Sequence, residues 1–191
     1  PHSWNVRDRH MADTLNRLLK FHGDQSKVIV WEHNTHIGDA RATDMVDEGM
    51  YNIGELTRLQ HEDKGVVLVG FGSYKGSVIA GQNWGAPMHA VQMPEAVKGS
   101  WEYLLHAAGK ENKLLLMEDF SSNDQLMENH IGHRAIGVVY QPQYEKYGNY
   151  VPSILPLRYD AFIYLDETRA LYPLHVTHDT HQVPETYPFG V

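Results

Sequence analysis

The chain has 191 residues and a formal charge of −8, because 24 acidic residues outnumber 16 lysines and arginines. That length is enough to bury a core, and 42% apolar with 21% charged residues is ordinary for a folded protein. The acidic balance argues against a nucleic acid or an anionic membrane as partner, since both attract basic surfaces. The absence of cysteine excludes disulfides, cysteine-ligated zinc, iron–sulfur clusters and a cysteine nucleophile. No apolar run is long enough to span a bilayer and no signal peptide is visible, so we expect a cytoplasmic protein.

Helix and strand patterns alternate along the chain. Apolar residues at helical spacing predict helices over residues 8–21, after a capping Asn52 and after a capping Ser100. Short apolar runs predict buried strands over residues 27–31, 65–71, 113–117, 135–140 and 161–165. Residues 141–156 are rich in tyrosine and proline and predict a long loop, and residues 175–191 predict an irregular tail. The alternation predicts an α/β fold with a mixed or largely parallel sheet flanked by helices.

The glycine-rich run from Gly70 to Gly76 follows the second predicted strand. Its spacing, G-x-G-x-x-x-G, differs from the dinucleotide-binding pattern, and β-branched residues follow where a helix would have to begin. We therefore predict a glycine turn between strands, where the backbone of another segment approaches closely.

The densest polar cluster follows the first predicted strand, where Glu32, His33, His36, Asp39 and Arg41 fall within ten residues. Sites in open α/β sheets form beyond the carboxyl ends of strands, so this cluster is a candidate site. A neutral imidazole can accept a proton from water near pH 7, a carboxylate can orient it, and an arginine can stabilise an oxyanion. A solvated loop with one capping aspartate fits the same residues equally well.

Histidine spacing also raises the alternative of a metal site. His33, His36 and Asp39 are residue types that ligate zinc, although such spacing outside a helix does not fix the geometry. In the tail, His175, His178 and His181 also recur every third residue, and we interpret them as an exposed tail.

Two further polar clusters are less specific. Arg7, Asp8 and Arg9 lie at the predicted start of the first helix, where Asp8 would serve as an ordinary cap. His133 and Arg134 precede a predicted strand and would bring polar groups to the sheet edge, or belong to a polar loop.

Several segments resemble the erythromycin esterase family, in the same order along the chain. Arg7-Asp8-Arg9-His10-Met11-Ala12 matches its R-D-x-x-M-A block, and His33-Asn34-Thr35-His36 matches its H-N-x-H block. Weaker similarity follows in segments that begin at Asn52, Val67, Arg134 and Arg158. The resemblance implies an α/β fold with a deep cleft and hydrolysis of an ester, in known cases a macrolide lactone. It also implies that a histidine activates water without a covalent intermediate.

The resemblance implies that the matching histidines, with Arg7 or Arg9, bind and polarise the ester carbonyl and orient the water. Combined with the residue patterns, it gives a predicted catalytic set of His33, His36, Glu32 and Arg9. The predicted substrate-binding set is Arg7, Asp39, Arg41, His133 and Arg134. The predicted substrate is a small-molecule ester, and the reaction needs no cofactor or metal.

The sequence departs from the family pattern in its length and in one motif. Family members are about twice as long and carry an upstream Gly-Glu-x-x-His-Gly motif, whose histidine the resemblance implies as the usual candidate base. That motif is absent here, since Gly54-Glu55 is followed by Leu56-Thr57-Arg58. We therefore expect residues 1–174 to be the C-terminal portion of such a domain, inactive alone, with the N-terminal half as its partner. Two alternatives stay open: a metal-dependent hydrolase using the same histidines, and a non-catalytic ligand-binding or structural module.

Overall fold

The computed structural model describes residues 2–171, so the predicted tail and its histidines lie outside the described residues. The helices are α1 (His2–His22), α2 (Asn34–Ile37), α3 (Ile53–His61), α4 (Trp101–Ala107), α5 (Asp124–Glu128), α6 (Glu145–Gly148) and α7 (Leu155–Arg158). The strands are β1 (Val69–Ala80), β2 (His89–Met93), β3 (Lys113–Leu116), β4 (Ile131–Arg134), β5 (Tyr150–Ser153) and β6 (Ala161–Thr168). None of the helices in this part of the chain has the length and apolar character needed to cross a bilayer.

A mixed four-stranded sheet lies at the centre, in the order β2-β1-β6-β3. β1 and β6 run parallel, from the pair Val69 and Ala161 to the pair Gly76 and Thr168, while β2 and β3 pair antiparallel on either side. β4 and β5 form a separate antiparallel pair. The predicted α/β fold with a mixed sheet flanked by helices is therefore confirmed.

One face of the sheet carries the main core. Phe162 and Tyr164 of β6, both fully buried, lie opposite Gly70 and Gly72 of β1. A Cβ at Gly70 would collide with the Tyr159 ring, and one at Gly72 with the Phe162 ring. The predicted glycine turn is therefore wrong, because these glycines lie within one long strand and make room for aromatic rings packed against it.

The capping predictions are confirmed for two helices. The side chain of Asn52 accepts a hydrogen bond from the Glu55 N–H at 2.9 Å, and Ser100 caps α4 in the same way. The first helix begins earlier than predicted, at His2, so Asp8 lies in its interior and not at its cap. The Asp8 carboxylate can therefore form hydrogen bonds with residues outside α1.

Two predicted strands do not form among the described residues. Residues 27–31 belong to no helix or strand and make no backbone hydrogen bond with the rest of residues 2–171. Residues 135–140 pack against the sheet through Tyr140 and Ile136, but within residues 2–171 they pair with it only at an isolated bridge between Gly81 and Val139. Both predictions are wrong for the same reason: an apolar run becomes a strand only where a neighbouring strand pairs along its length. The predicted long loop over 141–156 is also wrong, since it contains α6 and β5.

Candidate active site

The H-N-x-H residues form α2 and its cap. His33 is the N-cap: its Nδ1 accepts from the Thr35 N–H at 3.3 Å, and its Nε2 lies 2.9 Å from the Ile136 carbonyl oxygen. These partners assign the ring proton to Nε2, so both nitrogens are engaged. The residue is exposed, but desolvation by the surrounding protein lowers the pKa of His33. The hydrogen bond with the Ile136 carbonyl opposes this shift, and nearby His36 adds to it. His33 is therefore neutral near pH 7.

At the other end of α2, His36 meets Asp8 of α1. Nδ1 of His36 lies 2.9 and 3.1 Å from the two carboxylate oxygens of Asp8, which is fully buried. Asp8 also accepts the Ile53 N–H at 3.0 Å. The indole of Trp4 stacks on the imidazole, with ring centroids 4.4 Å apart and 4° between the planes. A carboxylate on Nδ1 places the proton there and leaves Nε2 as the acceptor.

The prediction that Asp8 is an ordinary helix cap is therefore wrong. Its carboxylate joins three elements by contacting the α2 imidazole and the first backbone N–H of α3 from inside α1. The relevant signal was in the sequence, because Asp8 is the acidic residue of the R-D-x-x-M-A block. No sequence pattern near Asp8 indicated that its partner would be His36 of the H-N-x-H block.

The two arginines of the same block have different surroundings. Arg7 Nη2 lies 3.4 Å from Nε2 of His36, its guanidinium lies over the Trp4 ring, and its side chain is 46% exposed. Arg9 donates to the Tyr51 hydroxyl at 2.9 Å and lies over that ring. Arg7 is thus the arginine beside Nε2 of His36, while Arg9 contacts Tyr51.

Asp39 and Arg41 pair with each other just after α2. Arg41 donates from Nε and Nη2 to the two Asp39 oxygens at 3.0 and 2.7 Å, and Arg58 adds a contact at 3.2 Å. Burial alone would raise the pKa of Asp39, but the hydrogen bonds from Arg41 hold it below its ordinary value. Glu32, by contrast, is exposed and makes no hydrogen bond to the described residues.

A buried histidine–glutamate pair lies behind α2. His133 Nδ1 is 2.6 Å from Glu102, both side chains are fully buried, and Glu102 also accepts the Arg134 N–H. Nε2 of His133 lies 3.4 Å from the Asn34 side-chain nitrogen and 3.4 Å from the Tyr159 hydroxyl. Desolvation lowers the pKa of His133 although Glu102 opposes it, so the ring is neutral. Sequence reasoning missed Glu102, since no local pattern marks it.

The guanidinium of Arg134 is fully hydrogen-bonded within the protein. Its Nε and Nη2 contact the Glu145 carboxylate at 2.8 and 2.7 Å, and Tyr150 accepts from Nε at 3.1 Å. The Nη groups donate to the backbone carbonyls of Ser73, Tyr74 and Pro94. All five guanidinium N–H groups thus have protein acceptors, and only 3% of the side chain is exposed.

A cavity of about 180 Å³ opens beside α2. Asn34 forms one edge: its amide donates to the Phe71 carbonyl at 2.6 Å and accepts the Phe71 N–H at 3.1 Å. His33 and Arg134 also line the cavity, together with mainly apolar side chains of the sheet and its surroundings: Phe71, Val78, Met93, Ile136 and Leu165. The H-N-x-H helix thus has Asp8 at His36 and a cavity at His33.

The predicted zinc alternative has no assembled site in residues 2–171. No group of three histidine or carboxylate side chains there lies close enough together to hold a metal ion. Nε2 of His33 faces the Ile136 carbonyl, Nδ1 of His36 faces Asp8, and Asp39 is paired with Arg41.

The fold and the site together define a mixed α/β protein in which an aspartate-oriented histidine and a cavity flank one short helix. The sequence matches the family model described as Erythromycin esterase over residues 1–168. The chain belongs to that family, so the resemblance expected from its motifs is confirmed.

Three solved structures share the fold. A succinoglycan biosynthesis protein aligns with a TM-score of 0.64 and 17% identity, over 86% of this chain and 38% of its own. A Bacillus cereus protein aligns with a TM-score of 0.66 and 16% identity, over 87% and 39%. A histidine-to-asparagine mutant of erythromycin esterase EreC, in its open conformation, aligns with a TM-score of 0.56 and 16% identity, over 85% and 37%. The chain thus spans less than two fifths of the length of each.

Proposed function

We propose that this chain supplies the water-activating histidine of an esterase-like hydrolase. Family membership supports hydrolase chemistry, and one observation carries the assignment within this chain: the buried Asp8 carboxylate on Nδ1 of His36. That contact favours the tautomer in which Nε2 carries no proton and can accept one, and it stabilises the imidazolium that results.

The proposed reaction begins with a water held at Nε2 of His36. Its oxygen attacks the ester carbonyl carbon while its proton passes to Nε2, which gives a tetrahedral oxyanion. Arg7, 3.4 Å from Nε2, stabilises that negative charge. The intermediate then expels the alkoxide, which takes the proton from the imidazolium, so the products are an acid and an alcohol. Trp4 keeps the ring in this orientation by stacking on it.

His33 and the cavity serve substrate binding in this proposal. The Nε2 proton of His33 already has the Ile136 carbonyl as its acceptor, so an ester carbonyl must displace that oxygen to be polarised by His33. The apolar lining fits a hydrocarbon part of the ester. At about 180 Å³ the cavity is smaller than the roughly 300–1,000 Å³ usual for ligand pockets. In this proposal, part of a larger substrate lies outside the cavity that the described residues form.

The test is hydrolysis of p-nitrophenyl esters and of lactones by the protein as its gene encodes it. His36→Ala should lower kcat by about 100-fold or more, because it removes the proton acceptor. Asp8→Asn should lower kcat with the fold kept, since an amide cannot stabilise the imidazolium. His10→Ala is the matched control, because His10 is an exposed histidine of α1, the helix that carries Asp8. Unchanged turnover in His36→Ala would refute the assignment, and binding without turnover in the parent protein would favour the non-catalytic module.

A further inference from the structure

The central sheet is apolar on both faces, and the described residues 2–171 leave one face uncovered. The strand register places apolar side chains in two adjacent rows on that face: Phe71, Ile163 and Leu114, then Val69, Ala161 and Leu116. Phe71, Leu114 and Leu116 are 38%, 68% and 48% exposed. We call these two rows the open face.

Single exposed apolar residues are normal, but contiguous rows across three strands are not. Strands that are apolar on both sides belong to sheets covered by a further layer on each side. Here the opposite face is covered, since Phe162 and Tyr164 are fully buried in the core. The open face therefore has the composition of a buried surface.

Residues 27–31 continue this surface. Trp31 lies beside Phe71, with ring centroids 6.0 Å apart, and Ile29 and Trp31 are 89% and 83% exposed. The backbone N–H and C=O groups of residues 27–31 make no backbone hydrogen bond within residues 2–171, so they are available to pair with a strand. The β-branched sequence that predicted a buried strand here fits a segment that pairs only when its neighbour is present.

The open face also runs into the candidate active site. Phe71 lines the cavity beside His33, and so does Leu165, which lies two residues beyond Ile163 on the same side of β6. Any layer that covers the open face therefore also walls the cavity.

We propose that the open face and residues 27–31 bind an additional polypeptide layer, equivalent to the part that the longer relatives have outside the matched region. The solved relatives each place more than half of their own chain outside the aligned part. The occupant presents an apolar helix face to Phe71, Leu114 and Leu116 and a strand to residues 27–31. This inference does not depend on the proposed hydrolysis.

The first test is hydrogen–deuterium exchange of the complete gene product beside the 191-residue chain alone. Peptides over residues 28–31 and 113–116 should exchange about tenfold or more slowly in the complete product, while a peptide from α3 should exchange equally in both. Equal exchange at 28–31 would overturn the proposal. So would a gene product no longer than this chain, or concentration-dependent protection in the chain alone, which identifies a second copy as the occupant.

A second test uses one substitution on the open face. Leu114→Asp should lower the Tm of the complete product by several degrees and leave the Tm of the 191-residue chain unchanged, because only the former buries this side chain. Leu59→Asp is the matched control, a leucine 54% exposed on α3, and should act equally in both. An equal effect of Leu114→Asp in both proteins would overturn the proposal. If the Leu114→Asp variant fails to fold, the hydrogen–deuterium exchange of the two unsubstituted proteins still tests the proposal.

Discussion

Replacing Arg134 by methionine should destabilise the protein strongly. The guanidinium joins β1, the segment before α4, and α6, through two carbonyls of β1, the Pro94 carbonyl and the Glu145 carboxylate. Methionine keeps most of the side-chain volume but none of the five donors. It leaves the Glu145 carboxylate buried without its cation.

The magnitude follows from burial. Removing one partner of a buried ion pair costs about 3–5 kcal/mol, because the remaining charge is uncompensated. Glu145 retains hydrogen bonds from Tyr140 and Tyr150, which places the expected loss near the lower end, about 3 kcal/mol. Against a total stability of about 5–15 kcal/mol, this is a large fraction. Arg134→Lys should cost less, about 1–3 kcal/mol, because three donors cannot serve all the acceptors of a planar fork.

The assay is urea unfolding followed by tryptophan fluorescence and circular dichroism. Combining Arg134→Met with Glu145→Gln should cost less than the sum of the single changes, since the carboxylate left unpaired is then neutral. Arg17→Met, at an exposed position on α1, is the control. A loss below about 1 kcal/mol for Arg134→Met would refute this reasoning. A fall in kcat/KM without loss of stability would instead support the substrate-binding role predicted from the sequence.

Two further predictions concern stability. Burial lowers the pKa of His133, so below pH about 6.5 the unfolded chain binds more protons than the folded one. The free energy of unfolding should therefore fall as the pH drops from about 7 to 5 in urea titrations, less so in His133→Gln and unchanged in slope in His10→Gln. Gly54→Ala should cost about 1–3 kcal/mol in the same assay, because its Cβ would collide with the Ile37 carbonyl. Gly148→Ala meets open space and should change stability by less than about 0.5 kcal/mol; equal effects of the two alanines would contradict the predicted collision.

The parts of the fold that could be predicted are those set by neighbouring residues. Asn52 and Ser100 begin helices because a cap acts within three residues, and the strands β3 and β6 follow from short apolar runs. The continuity of β1 could not be predicted in this way. Gly70 faces Phe162, far along the chain, and only that contact turns a glycine-rich run into a strand that accommodates aromatic rings.

The candidate site also has parts that the sequence predicted and parts that it could not. The two motif blocks indicated His36 and Arg7, and the structure brings them together. The contact between Asp8 and His36 joins positions separated by 28 residues, and Glu102 meets His133 across 31. Neither separation leaves a periodic signal. The groups that accept hydrogen bonds from Arg134 come from four segments of the chain. No local pattern could therefore tell whether this arginine binds a substrate or is bonded within the protein.

The geometry of the proposed site depends on a helix that cannot stabilise itself. α2 has four residues, too few to be stable in isolation. It is held from outside by the amide of Asn34 on Phe71, by Asp8 on His36, and by the Asn52 side chain, which donates to the Thr35 and Gly38 carbonyls. These contacts fix the imidazole from the α1 side and the sheet side. The cavity borders the open face, so the wall that the described residues leave uncovered is the one that the proposed additional layer would supply. The two proposals together place the orientation of the base within this chain and the enclosure of the substrate in the additional layer.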